Sequence, residues 1–182
     1  MNVDRPVPNR RRLVTRPPPG LPGVGHPHTI GTMTHPVRPV TVHAVIPAPP
    51  GEVLAFVADT RNDPEWCPNV ESAELVEGDG VSAGSVFRFH QHLDTPGSKR
   101  VEFDGEVTIV ERTDRSIRWR VSDRFQDRDI TLTVDPHSDG TRITQVTRAT
   151  FLRPPGPRRW LYPFLARRTY RDQFAHLSAR FT

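Results

Sequence analysis

His90 and His92, in the run Phe89-His-Gln-His92, stand two residues apart, the spacing that puts two imidazoles on one face of a strand, where they could exchange a proton or hold a metal. A zinc centre needs a third ligand, and no nearby Asp, Glu or His alternates in step with them, so no metal is expected. Register decides where they point. With Val86 inward, Arg88, His90 and His92 follow it; with Phe87 and Phe89 inward, two rings are buried and the histidines face solvent, the more natural arrangement. Gln145 and Thr147 differ, because they share a strand face with Ile143, Ala149 and Phe151. A buried amide or hydroxyl needs a partner, so the two are expected to contact each other, ordered water or a ligand. The run Asp123-Arg-Phe-Gln-Asp-Arg-Asp129 reads as a solvated turn rather than a catalytic carboxylate. Cys67 is the single cysteine, which excludes an intrachain disulfide and a cysteine-based zinc centre. The chain has no Ser-His-Asp set that can be placed in space, no Gly-x-Gly-x-x-Gly, no Walker sequence and no His-Glu-x-x-His. No catalytic residue and no cofactor is therefore expected, and binding is the more economical function.

The elements that must position these residues follow from periodicity. Val40, Val42, Ala44 and Ile46 alternate through a first strand over 40–46, stopped by Pro47, Pro49 and Pro50. Val53, Phe56 and Val57 then recur at helical spacing over 51–58. Residues 62–68, Asn-Asp-Pro-Glu-Trp-Cys-Pro, form a second helical turn in which Asp63 caps, Pro64 fits the first helical position and Trp66 pins the turn to the body. From residue 71 the period is two, with strands over 71–77, 85–92, 100–110, 116–122, 128–134 and 141–151. Their turns are marked by Gly78-Asp-Gly80, Thr95-Pro-Gly97 and Asp139-Gly140. A last helix carries Ala166, Tyr170, Phe174, Leu177 and Phe181 in one stripe. Strands with one apolar face and a helix with one apolar stripe satisfy each other when the helix lies across a curved sheet. The fold class is α+β: seven antiparallel strands, two short helices after the first strand and a long C-terminal helix.

Length and charge bound the rest. The 182 residues suit one domain, yet only 35% are hydrophobic, and 12 of the 20 prolines fall in the first 50 positions. Residues 1–38 are expected to be a disordered Pro/Arg-rich tail and 39–182 the folded domain; Met33 offers an alternative start. The formal charge of +4 divides into +5 over residues 1–40, −7 over 41–152 and +6 over 153–182. An acidic body with basic ends does not suit a nucleic-acid reader, and no nucleic-acid partner is expected. With neither a signal-peptide pattern nor a long apolar run, a cytoplasmic location is the default.

The stretch from Ile46-Pro-Ala-Pro-Pro-Gly51 through Asn62-Asp-Pro-Glu-Trp-Cys-Pro-Asn-Val70, with the later Asp139-Gly140 hairpin in register, resembles the polyketide cyclase/dehydrase and lipid-transport family of the START-like (SRPBCC) superfamily over about residues 40–181. The resemblance implies a helix-grip fold. It also implies a ligand site between sheet and C-terminal helix, lined by candidates Trp66, Phe103, Gly105, Trp119, Gln145, Thr147, Tyr170 and Phe174. Such a cavity would take a hydrophobic small molecule such as a lipid, quinone or polyketide. The same aromatics could instead fill a solid core. Aromatase/cyclase or dehydrase activity, with His90 or His92 as acid or base, and a regulatory protein-interaction role are the alternatives that the resemblance leaves open.

Trp160-Leu-Tyr-Pro-Phe-Leu165 stands apart from the helical stripe. With Tyr170 facing the sheet, Phe164 and Leu165 fall on the opposite side near Arg168 and Arg171. Either this patch meets an anionic membrane, or Pro163 kinks the chain so that the residues cover a sheet edge.

Overall fold

The strand Val40–Ile46 pairs along its whole length with the last strand of the chain, from Val40 opposite Thr147 to Ile46 opposite Thr141, and thereby closes one edge of the sheet. The computed structural model describes residues 35–93, 100–153 and 160–182. In chain order its strands are β1 (His35–Pro36), β2 (Val40–Ile46), β3 (Val70–Glu77), β4 (Val86–Leu93), β5 (Val101–Arg112), β6 (Ser116–Asp123), β7 (Gln126–His137) and β8 (Gly140–Phe151). The helices are α1 (Pro50–Ala58), α2 (Asp63–Trp66) and α3 (Tyr162–Arg180), with a 3-10 turn at Thr60–Asn62. The sheet order is β1-β8-β7-β6-β5-β4-β3, with β2 also on β8, and every pairing is antiparallel. This is the helix-grip arrangement.

The eighth strand, against seven expected, arises because the edge partner of β8 comes in two pieces. Pro36 and Pro39 lack the N–H a ladder requires, and prolines are tolerated at an edge. His35 and Pro36 pair with Phe151 and Thr150, and Val37 N–H donates to Ala149 O at 3.1 Å. Pairing thus begins within the segment expected as tail; residues 1–34, and the turn expected at Thr95-Pro-Gly97, lie outside the described residues.

The β7–β8 hairpin closes on Gly140, whose φ of +125° and whose approach to the backbone of Ile46 and Ala48 leave no room for a Cβ. Beside it, Thr141 Oγ1 donates to Ala48 O at 2.6 Å, fixing the start of α1 to the sheet. The inward faces of β4 to β8 meet α1 and α3 over a core that includes Phe87, Ile109, Ile117, Leu132, Ile143 and Leu177, all essentially inaccessible. Along α3, Ala166, Tyr170, Gln173, Phe174 and Leu177 are buried, so the stripe seats the helix as its periodicity requires. Pro163 lies in the first turn, where a missing N–H costs nothing, so α3 begins there without a kink.

Candidate functional site

Along β4, β6 and β7 the inward face changes from apolar to polar toward one end of the sheet. On β4 the series is Phe87, Phe89, Gln91; on β6 it is Ile117, Trp119, Val121, Asp123; on β7, read backwards, it is Val134, Leu132, Ile130, Arg128, Gln126. Antiparallel register puts these polar ends together, with Val121 opposite Arg128 and Gly105 opposite Asp123. Toward that end of the sheet the packing opens into space.

That space has two parts. An inner cavity of about 90 Å³ has apolar walls from Trp66, Phe89, Val107, Trp119 and Ile130, with Asp63, Arg128, Gln145 and Tyr170 among its polar groups. An outer chamber of about 510 Å³ lies toward the first half of α3, walled by Phe103, Phe125, Phe151, Tyr162, Leu165 and Ala166. Asn69, Gln91, Arg128, Tyr170 and Gln173 border both, so a polar ring marks the junction. Gln173 Nε2 donates to Asn69 Oδ1 at 3.1 Å and Asn69 Nδ2 to Gln91 Oε1 at 3.1 Å, a chain that ties α3 to the sheet across that ring.

The aromatic walls are braced by one another. Trp66 stacks on Phe174, with ring centroids 6.4 Å apart and planes within 7°. Phe103 stands edge-on to Phe125 at 5.0 Å, and the Arg124 guanidinium lies over both rings. Phe151 meets Tyr162 edge-on at 5.2 Å.

Of the residues singled out from sequence, Trp66, Trp119, Gln145 and Tyr170 border the inner cavity, while Phe103 and Tyr170 border the outer chamber. Thr147, Phe174 and Gly105 lie behind these walls. Gln145 Nε2 donates to Thr147 Oγ1 at 3.2 Å, which keeps the Thr147 hydroxyl off the cavity. Phe174 is covered by Trp66. The volume that Gly105 leaves is taken by the Phe89 ring, which a Cβ at Gly105 would enter, so this glycine makes room for a ring rather than for a ligand. His90 is exposed on the outer face, its Nδ1 2.8 Å from Asp104 Oδ1. His92 sits at the chamber rim in a cluster with Glu71 and Arg100. Among the described residues no group of three or more His, Cys, Asp or Glu side chains could hold a metal. Phe164, Leu165, Arg168 and Arg171 are exposed on α3, Leu165 also forming part of the chamber wall.

Several residues that shape the site were not foreseen. The Asp123–Asp129 run is no solvated turn: only Arg124 and Phe125 lie between β6 and β7, and Asp123 is a fully enclosed strand residue. Asp123 Oδ1 accepts from the N–H groups of Phe125 at 2.8 Å and Gln126 at 3.1 Å, and its Oδ2 accepts from Arg128 Nη2 at 3.3 Å. Asp63 does not cap α2. The 3-10 turn runs straight into the helix, which leaves no extended residue for a cap, and the Asp63 side chain instead borders the inner cavity. Burial pushes its carboxyl up to about 8; the Trp66 indole opposes this, and the charge of Asp59 adds to it. Burial, with Tyr170 adding to it and Arg128 opposing, also holds the Tyr162 phenol well above its ordinary value. At neutral pH the site thus presents the protonated Asp63 carboxyl, the neutral Tyr162 phenol and the guanidinium groups of Arg128 and Arg153 within aromatic walls. Such groups can donate hydrogen bonds to a ligand oxygen.

Solved structures with this architecture come from bacteria and a plant. A START superfamily protein from Mycobacterium smegmatis matches with a TM-score of 0.64 at 15% identity, over 79% of this chain and 96% of its own. A protein from Thermus thermophilus matches with a TM-score of 0.61 at 24% identity, over 79% and 97%. Ginseng major latex-like protein 151, from Panax ginseng, matches with a TM-score of 0.59 at 16% identity, over 82% and 98%. At these identities the likeness is one of fold. A search of curated proteins gave no significant match. The sequence itself, by contrast, fits one family profile from β2 through the terminal helix, and on that match residues 38–182 belong to the polyketide cyclase/dehydrase and lipid-transport family.

Proposed function

We propose that the protein binds and carries a hydrophobic small molecule of lipid, quinone or polyketide type, held in the chamber between the sheet and α3. The observation that carries this reading is the chamber itself. Its volume of about 510 Å³ falls within the roughly 300–1,000 Å³ typical of small-molecule sites, and its walls combine aromatic and aliphatic side chains with polar groups, of which Asn69, Gln91, Arg128 and Gln173 lie at the inner end. A solid core would have left no such volume under the first half of the helix. Native mass spectrometry of protein purified without detergent tests the reading: a bound small organic molecule, released by solvent extraction, is the expected result. Bare polypeptide that stays bare after incubation with lipid and quinone extracts would count against it.

The rim of the chamber suits delivery to a membrane. Leu93, Phe125 and Leu165 are apolar wall residues left exposed, and Trp160 and Phe164 add exposed rings near the start of α3, with Arg168 and Arg171 also exposed on that helix. Apolar side chains flanked by arginine fit the headgroup boundary of an anionic bilayer. None of the described helices is long and apolar enough to cross a membrane, so the contact would be peripheral. Liposome co-sedimentation should show more binding to anionic than to neutral vesicles, weakened by salt and by Phe164→Ser combined with Leu165→Ser. Binding indifferent to lipid charge, or unchanged in the double variant, removes the membrane contact and leaves the binding domain intact.

A further inference from the structure

Among the described residues, the buried Gln126 Oε1 and Arg128 Nε lack a hydrogen-bond partner, and the Trp66 indole N–H has only the Asp63 carboxyl beside it. Every one belongs to a side chain on the two connected cavities, and Trp66 and Arg128 both border the inner one. An unpaired buried donor is costly and rare, most of all on a charged group, so Arg128 Nε calls for an acceptor, while Gln126 Oε1, itself an acceptor, calls for a donor.

Arg128 is the decisive group. Its partner Asp123 engages only Nη2, at 3.3 Å, and shares its carboxylate with two backbone N–H groups of the β6–β7 turn. The guanidinium therefore keeps attraction to spare toward the cavity side. No acidic residue is among those bordering the outer chamber, whereas Arg128 and Arg153 both do. The one carboxyl on the inner cavity, Asp63, is held protonated at neutral pH and adds no negative charge. At about 90 Å³ the inner cavity is several times the roughly 10–15 Å³ that one water requires, room enough for the polar tip of a larger molecule.

We propose that the ligand is an amphipathic anion, with an apolar body in the outer chamber and a carboxylate or ionised enol or phenol oxygen at the junction, bound by the Arg128 guanidinium. Gln126, whose amide offers a donor at one end and an acceptor at the other, meets a neighbouring polar group of the same ligand. This specificity rests on the ligand-binding reading above and narrows it from hydrophobic molecules in general to those with one anionic end.

Two fluorescent probes with one apolar skeleton separate the two claims: anilinonaphthalene sulfonate, and N-phenylnaphthylamine, which lacks the sulfonate. The folded wild-type protein is expected to bind the sulfonate about tenfold more tightly or better, the scale of a charge-assisted hydrogen bond. Arg128→Gln should bring the sulfonate down to the neutral probe while leaving the neutral probe little changed. Arg128→Lys should restore part of the preference, and Arg142→Gln, on the exposed face of β8, should leave it intact. Where Arg128→Gln does not fold, because Asp123 loses its partner, Asp123→Asn with Arg128→Gln takes its place. Equal affinity of the wild type for both probes, a preference that survives loss of Arg128, or an equal loss for both probes overturns the anion assignment alone. Failure of the wild type to take up N-phenylnaphthylamine overturns the cavity reading and the assignment with it.

Discussion

Trp66→Ala is expected to destabilise the protein by about 3–5 kcal/mol, the range for truncating a large buried aromatic. The four-residue helix α2 cannot hold itself, since so short a helix gains too few hydrogen bonds to offset its nucleation cost. Its anchor is the Trp66 ring, 7% exposed and stacked on Phe174 of α3. Removing the ring strips contacts from Phe174 and opens the inner cavity to the helix, so the loss comes both from transfer and from an unfilled void. The Trp66 indole N–H has no neighbour but the Asp63 carboxyl to lose, so packing is the larger part of the effect. Urea titration measures it. A loss below about 1 kcal/mol, with ligand uptake unchanged, would show that α2 is held by something else.

The elements were legible because each obeys a single period. Alternation from residue 71 onward and the stripe Ala166, Tyr170, Phe174, Leu177 required a sheet with a helix across it, and the structure has both. The walls of the two cavities were legible where they are aromatic, as with Trp66 and Trp119 on the inner one, Phe103 on the outer one and Tyr170 on both. The polar end of the site was not, for a reason that lies in strand length. Strands ending at residue 122 and starting at residue 128 follow the apolar alternation only as far as it stays apolar. The ladder continues to Asp123 and begins at Gln126, so the charged residues excluded from the pattern are its inward continuation. Carrying period two past the last apolar residue would have put Asp123, Arg128 and Gln126 on the inner face. Asp63 was hidden differently: Asp before Pro at a helix start is a capping signal, and only the 3-10 turn that runs directly into α2 turns its side chain elsewhere. Gly105 misled because a missing side chain removes volume whether a ligand or a neighbouring ring fills the gap, and here Phe89 does.

Filling the chamber should abolish binding while leaving the fold in place. Ala166 is a buried residue of α3 on the chamber wall, and Thr169 is an exposed one on the same wall, so tryptophan at either position projects into the space assigned to the ligand. An indole occupies a large part of such a chamber, and because the space is open to one side it can do so without the strain of an overpacked core. The most direct measurement is a titration of N-phenylnaphthylamine into wild-type, Ala166→Trp and Thr169→Trp proteins, each first shown to be folded by its thermal midpoint. The expected result is saturable uptake at one site in the wild type and its loss in both variants. Uptake that is absent from the wild type, or that persists undiminished in both variants, would contradict a ligand site between the sheet and α3.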